Sequence, residues 1–277
     1  MRHVIFAALL SSFSIPSALA AQDPAPAAQT PERNSPDVRI DPLQPDFNLA
    51  ALPTTLRMPG GKWAFRVTHR FNRNLGQGDL GDLAGDLFGL DGGGQIGLEV
   101  RIGLRDGTQV GIHRTSDRAI QLFGQHNLID QRAGRRFGLD LVATFEGDDN
   151  LSENHKSALG VVLSKAVANR ATVYLEPLAV LNANPFETGD DHTMMLGLGA
   201  RVRMTRSMYL VGEYTPRLAG YDPGADQITF GIESRTGGHL FQINFGNGLG
   251  TTFGQLAGGG VDYDQWFLGF NISRKFF

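Results

Sequence analysis

From Trp63 onward, apolar side chains recur at every second position and not at helical spacing. Trp63, Phe65, Val67 and Phe71 share one face of the first stretch, with Arg66, Thr68 and Arg70 on the other. Ile96, Leu98, Val100 and Ile102 oppose Gln95, Gly97, Glu99 and Arg101 in the next. The same alternation runs through 109–113, 120–125, 137–141, 159–164, 172–179, 196–203, 208–213, 228–233, 241–245 and 265–273, giving twelve candidate strands. Strands of about 9–12 residues cross a bilayer when tilted, and bacterial outer-membrane barrels have an even number of them.

The connections alternate as well. Joints such as 104–107, 168–170, 204–206 and 236–238 are short, whereas 72–93, 147–155, 182–191, 217–225 and 248–261 are long and polar. Two joints break the alternation, 129–135 by being long and 116–118 by being short. Short periplasmic turns and long external loops characterise outer-membrane barrels. The face opposite the apolar one carries Arg66, Arg70, Arg101, Arg201 and Arg203 together with Glu99, Asp140, Glu176, Glu213 and Glu233. A charge facing lipid at mid-membrane costs ~2–4 kcal/mol, so these ten residues are expected to line the lumen and to pair across it. The outward aromatics Trp63, Phe71, Trp266 and Phe270 suit the interfacial girdles. The expected fold is all-β: a closed antiparallel up-and-down transmembrane β-barrel of about 12 strands over residues 61–277. A secreted soluble barrel would alternate too, but with its apolar face inward.

The segment before the barrel differs in kind. Arg2 and His3 precede an apolar run from Val4, and Ala18-Leu19-Ala20 supplies a small-x-small cleavage site, so residues 1–20 read as a secretory signal peptide addressed to the outer membrane. Residues 21–60, rich in Pro, Ala, Gln and Asp, are expected to form a flexible periplasmic arm. A small plug anchored by Phe47, Leu49 and Leu52 is the other arrangement they allow. The absence of cysteine excludes disulfides, thiol chemistry and Cys-ligated metals, and a net charge of −3 offers no basic footprint for nucleic acid.

The alternating aromatic stretch that ends in Phe276-Phe277 resembles the final-strand signal of outer-membrane proteins, which implies the barrel-assembly machinery and outer-membrane lipid as partners. The phase set by Trp266–Ile272 points Phe276 outward and leaves Phe277 out of step. Leu87-Phe88-Gly89-Leu90-Asp91-Gly92-Gly93, Glu233-Ser234-Arg235-Thr236-Gly237-Gly238-His239 and Gly269-Phe270-Asn271-Ile272-Ser273-Arg274 resemble an uncharacterised family of bacterial outer-membrane β-barrel proteins. The first strand, with Thr68-His69-Arg70-Phe71, is similar to it too, so that the resemblance covers about residues 55–277. It implies the barrel fold and supplies no catalytic or cofactor residues.

Three local features invite chemistry. Asp79, Asp82, Asp86 and Asp91 in the first long loop lack Ca²⁺-loop spacing, and Leu80, Leu83, Leu87 and Phe88 suit a lid on the barrel rim or a plug. His155-Lys156-Ser157 is similar to the His-x-Ser pair of outer-membrane lipid hydrolases, but the wider H-x-S-N-G pattern is missing because Ala158 and Leu159 follow. The other histidines show no metal-ligand spacing, so neither metal nor cofactor is expected. The expected function is non-enzymatic, a small channel or a closed structural barrel with a charge-balanced lumen. The alternative is a lipid hydrolase using Ser157 and His155.

Overall fold

The computed structural model describes residues 40–90, 92–186 and 189–277; the expected signal peptide, residues 21–39 of the expected arm, and Asp91 lie outside the described residues. Each alternating stretch forms a strand: β1 (Trp63–Asn74), β2 (Gly94–Arg105), β3 (Thr108–Thr115), β4 (Ile120–Ile129), β5 (Gly138–Gly147) and β6 (Glu153–Val167). The second half comprises β7 (Ala171–Leu181), β8 (Thr193–Arg203), β9 (Met208–Thr215), β10 (Gln227–Thr236), β11 (His239–Gly246) and β12 (Phe267–Phe276). After Pro216, which has no N–H to donate, β9 resumes as Arg217–Gly220 and keeps its pairing with β8. Every strand is antiparallel to its neighbours in the chain, and β12 pairs with β1 from Trp63↔Phe276 to Arg70↔Gly269, closing a twelve-strand up-and-down barrel.

The alternation sorts side chains as the membrane requires. Ile243 and Leu159 are each 59% exposed on the outer face, while Arg201, Glu233 and Glu176 inside are at 0%. A soluble barrel would need the reverse, so that alternative falls. Trp63 stacks on Phe276 (3.8 Å) at one rim and Phe230 packs beside Trp266 (5.6 Å) at the other. Phe71, expected in the outer girdle, is instead buried beside Gly89 of the first long loop. Register between β12 and β1 is unbroken from Gly269 through Phe276, which faces outward as its phase predicts. Phe277 folds back against Phe47 (6.4 Å).

One end of the barrel carries the short turns and the start of β1; the other carries the long loops. The two irregular joints have local causes. Between β3 and β4 a tight turn closes with Thr115 N–H donating to the Ala119 carbonyl (2.9 Å). Between β4 and β5 a single 3-10 turn, Gln131–Ala133, is capped by Asp130. The first long loop does not enter the lumen. Its helix Leu80–Gly85, capped by Asp79, has no buried residue and is tied to β1 through an Arg73–Asp86 ion pair. The loop between β11 and β12 turns inward instead, and its helix Phe253–Ala257 buries Phe253, Leu256 and Ala257.

A charge placed on the outer face at mid-span exposes the membrane dependence directly. Ile243→Arg should lower the unfolding free energy of vesicle-refolded protein by roughly 2–4 kcal/mol in a denaturant titration, and Thr236→Arg at the turn end by less than about 1 kcal/mol.

Candidate functional site

Residues 40–60 correct the expectation of a flexible arm, because they run through the lumen. Phe47, Leu49, Leu52 and Met58 are buried there, at 3%, 1%, 0% and 0% exposure. The segment enters and leaves at the turn end and doubles back on itself. Thr54 N–H donates to the Phe47 carbonyl (2.7 Å) and Leu49 N–H to the Leu52 carbonyl (2.8 Å), making Leu49–Leu52 the tip of a short hairpin. Gly199 and Gly197 of β8 give the tip its room. A Cβ at Gly199 would stand 2.3 Å from Leu49 Cδ1, and one at Gly197 3.0 Å from Leu52. These strand glycines make space for the inserted segment.

The wall holds the tip mainly by its backbone. The Glu213 carboxylate accepts from three successive amides, Ala50 (3.1 Å), Ala51 (3.0 Å) and Leu52 (3.1 Å). The Ala50 carbonyl in turn accepts from Arg70 (3.2 Å), Asn271 (3.1 Å) and Arg66. Arg201 donates to the Asn48 carbonyl (2.7 Å), Gln242 to that of Leu49 (3.2 Å) and Gln125 to that of Thr54 (2.7 Å). Nearer the turn end, Lys275 (2.9 Å) and Ser273 (2.8 Å) hold Asp46. Where the segment leaves the barrel, Arg57 meets Asp130 at 2.9 Å. Burial would raise the Asp130 carboxyl, but Arg57 and Arg132 outweigh it and hold it below the ordinary carboxylate value.

The inward loop closes the other side. Glu146 accepts from Thr252 Oγ1 (2.8 Å) and Gly254 N–H (3.0 Å), and Gln121 from Phe253 N–H (2.8 Å). Phe253, Leu256 and Ala257 join Leu49, Ala51 and Leu52 in one apolar cluster with Tyr174, Leu178 and Met195 of the wall. Between the two insertions, a space of about 20 Å³ bounded by Asn48, Glu99, Arg101 and Phe253 has room for a single water.

The ten charges expected in the lumen divide by task. Glu99 pairs with Arg101 (2.9 Å) and lies 3.8 Å from Arg66, and Arg201 forks onto Glu233 (2.6 and 2.8 Å). Arg70 and Glu213 act on the inserted tip. Asp140 accepts from Gln125 and Asn127, both at 2.7 Å. Arg203 is half-buried at the end of β8, bound to the Thr205 carbonyl (3.1 Å). Glu176 is the anomaly: it is fully buried beside Gly197 and Leu52, and neither carboxyl oxygen has a hydrogen-bond partner among the described residues.

Several buried polar residues of the interior lie beyond the ten expected charges. His113, Glu146, Lys156 and Lys275 all follow the inward phase of their strands and were legible by extending the alternation. Asp46 sits on irregular backbone that no period could place.

The Ser157–His155 alternative finds no catalytic geometry. His155 Nε2 lies 2.9 Å from the Leu151 carbonyl oxygen and its ring stacks on Phe145 (5.5 Å). Among the described residues no hydrogen bond joins it to the Ser157 hydroxyl. The same residues contain no group of three or more His, Asp or Glu side chains that could hold a metal ion.

Comparison with solved structures aligns the barrel with two porins. One is the KdgM porin in complex with disordered oligogalacturonate, at a TM-score of 0.50 and 10% identity over 77% of this chain and 99% of that one. The other is the NanC porin, at 0.50 and 9% over 78% and 100%. At this identity the likeness shows the fold alone. Comparison with curated proteins finds no sequence relative. The family model described as "Membrane bound beta barrel domain (DUF5777)" matches residues 46–276, a span that takes in the inserted tip as well as the barrel. The chain therefore belongs to this family of membrane-bound β-barrels.

Proposed function

We propose that the protein is a non-enzymatic channel of the outer membrane, exported by its first 20 residues. It is shut at rest by residues 40–60 and passes small hydrophilic solutes when that segment withdraws. The observation that carries this reading is the clasp on the tip, Glu213 on three amides and Arg66, Arg70 and Asn271 on one carbonyl. A core meant only to be filled is served at least as well by apolar packing, since buried ionic contacts add little stability over hydrophobic ones. A polar clasp has a second property: water can take the place of the withdrawn backbone. The wall pairs Glu99–Arg101 and Arg201–Glu233 stay matched without the segment, whereas Arg66, Arg70 and Lys275 then face Glu213 and Glu176 across open space. That transverse array favours compact solutes bearing both signs of charge or none over strongly anionic chains such as the oligogalacturonate of the KdgM complex.

Glu176 supplies a bias toward opening. A buried carboxyl without partners costs about 1–3 kcal/mol, and withdrawal of Leu52 would let water reach it. The closed state is therefore held below its greatest possible stability.

Planar-bilayer recording of the full chain should show a mostly silent protein with rare openings. Glu213→Ala removes charge-assisted hydrogen bonds worth about 1.5–3 kcal/mol together and should raise the opening frequency roughly 10- to 100-fold. Because the chain has no cysteine, maleimide labelling of an added Ala51→Cys reports withdrawal independently. Silence in Glu213→Ala accompanied by fast labelling of Ala51→Cys would instead make the protein a closed structural barrel.

Glu176→Leu should act oppositely. It removes the orphaned carboxyl at nearly constant volume, so the thermal transition should rise and openings should become about tenfold rarer. Glu176→Gln leaves two polar atoms equally unpartnered and should change both far less.

A further inference from the structure

The two ends of the barrel carry opposite charge, and their charges are satisfied differently. At the loop end four basic residues are matched by carboxylates on the chain, Arg73 with Asp86, Arg118 with Asp149, Lys156 with Asp148, and Arg217 with Asp222 and Asp226, while Arg114 donates to the Asn150 side chain. Acidic groups remain in excess there, among them Asp190, Asp191, Asp262 and Asp264.

The turn end is the reverse. Four of the five turns bring arginine to the rim: Arg105 before the β2–β3 turn, Arg135 and Arg136 between β4 and β5, Arg170 between β6 and β7, and Arg206 between β8 and β9. Arg235, before the β10–β11 turn, lies on the inward phase of β10 with one guanidinium nitrogen buried. None of these six has a carboxylate partner among the described residues. The carboxylates of this end are already engaged. Asp130 holds Arg57 and Arg132, Asp106 accepts from Gly60 N–H, Asp41 accepts from Leu43 N–H, and Asp46 is buried on Lys275.

We infer that this ring binds the phosphates of anionic phospholipid headgroups in the leaflet that surrounds the turn end. Its distribution identifies the occupant. A single docked anion or protein would call for a cluster on one side, whereas the rim arginines are spread over four of the five turns, as a surrounding annulus requires. The ring also lies where the outward apolar band stops. Trp63 and Phe276 mark that level, Arg274 stands over the Phe276 ring at 5.3 Å, and Lys165 occupies an exposed position on the outward phase of β6. Guanidinium groups fork onto phosphate oxygens, and basic side chains at a membrane surface are drawn to anionic lipid over roughly a Debye length.

The test compares the full chain refolded into phosphatidylcholine vesicles with the same protein in vesicles that also contain phosphatidylglycerol of matched acyl chains. The readout is the temperature at which folded, heat-modifiable gel mobility is lost. The transition should be higher with phosphatidylglycerol, by a gap that narrows as salt is added. Arg135→Gln/Arg136→Gln/Arg170→Gln/Arg206→Gln should lose more than half of that gap, and the loop-end control Asp190→Asn/Asp191→Asn should keep it. If the fourfold variant does not fold, Arg135→Gln and Arg170→Gln singly should each narrow the gap by a smaller step. An unchanged gap in the arginine variants, or no gap in the parent, overturns the inference. So does a full rise produced by free glycerol phosphate in phosphatidylcholine vesicles, which would mean a soluble-anion site.

Discussion

A charge carried inward on a strand must meet a partner or water, and that constraint shapes the interior of this barrel. Leaving a buried polar group unmatched costs about 1–3 kcal/mol, and more when it is charged. Part of the lumen charge is matched wall to wall, as in Arg201–Glu233. The remainder exceeds what the wall can satisfy, and the backbone of residues 46–54 makes up most of the difference. Its amides face Glu213 and its carbonyls face Arg66, Arg70 and Arg201. The inserted segment and the wall charges thus explain one another: without the segment Glu213 has no donors, and without the wall the tip amides would be orphaned.

The two insertions that close the lumen are held by different mixtures of forces. The loop carrying Phe253–Ala257 buries apolar side chains and caps its helix internally through Thr252 and Gln255, so it brings its own structure with it. The segment carrying Leu49–Leu52 has little regular structure beyond its short hairpin and depends on wall side chains for most of its hydrogen bonds. Solvent can replace hydrogen bonds, but apolar burial is lost outright on exposure. The N-terminal segment also buries Phe47, Leu49, Leu52 and Met58, so its withdrawal costs apolar burial as well as hydrogen bonds, and Glu176 beside Leu52, without a hydrogen-bond partner among the described residues, offsets part of that cost.

The strands and their phase were legible because a bilayer punishes misplacement residue by residue. Leu98 and Glu99 cannot exchange faces, so the two-residue period survives in the sequence. Loop lengths were legible for a similar reason, since each end of the barrel has its own solvent. The inserted segment was not, because its hairpin is fixed by partners more than a hundred residues away, such as Glu213 and Asn271. Pro- and Ala-rich composition suggested a flexible arm and gave no sign that a lumen would hold residues 40–60. Only Phe47, Leu49 and Leu52 hinted at burial. His155 and Ser157 show the opposite limit, for a spacing of two suggests chemistry, whereas His155 Nε2 lies against the Leu151 carbonyl and its ring against Phe145.

The same rule, applied outside the lumen, separates the two rims. Arginines within the barrel find carboxylates or carbonyls on the chain, and at the loop end Arg73, Arg118, Lys156 and Arg217 find aspartates. At the turn end the chain's own carboxylates are committed to the inserted segment and to the turns themselves: Asp130 to Arg57, Asp46 to Lys275, Asp106 to Gly60. The acids that secure the exit of the segment are thereby withdrawn from the rim, and the rim is left basic. Seating a segment in the lumen and presenting a cationic collar to the adjacent leaflet are two consequences of one allocation of aspartates, so a change at Asp130 or Asp106 acts on both.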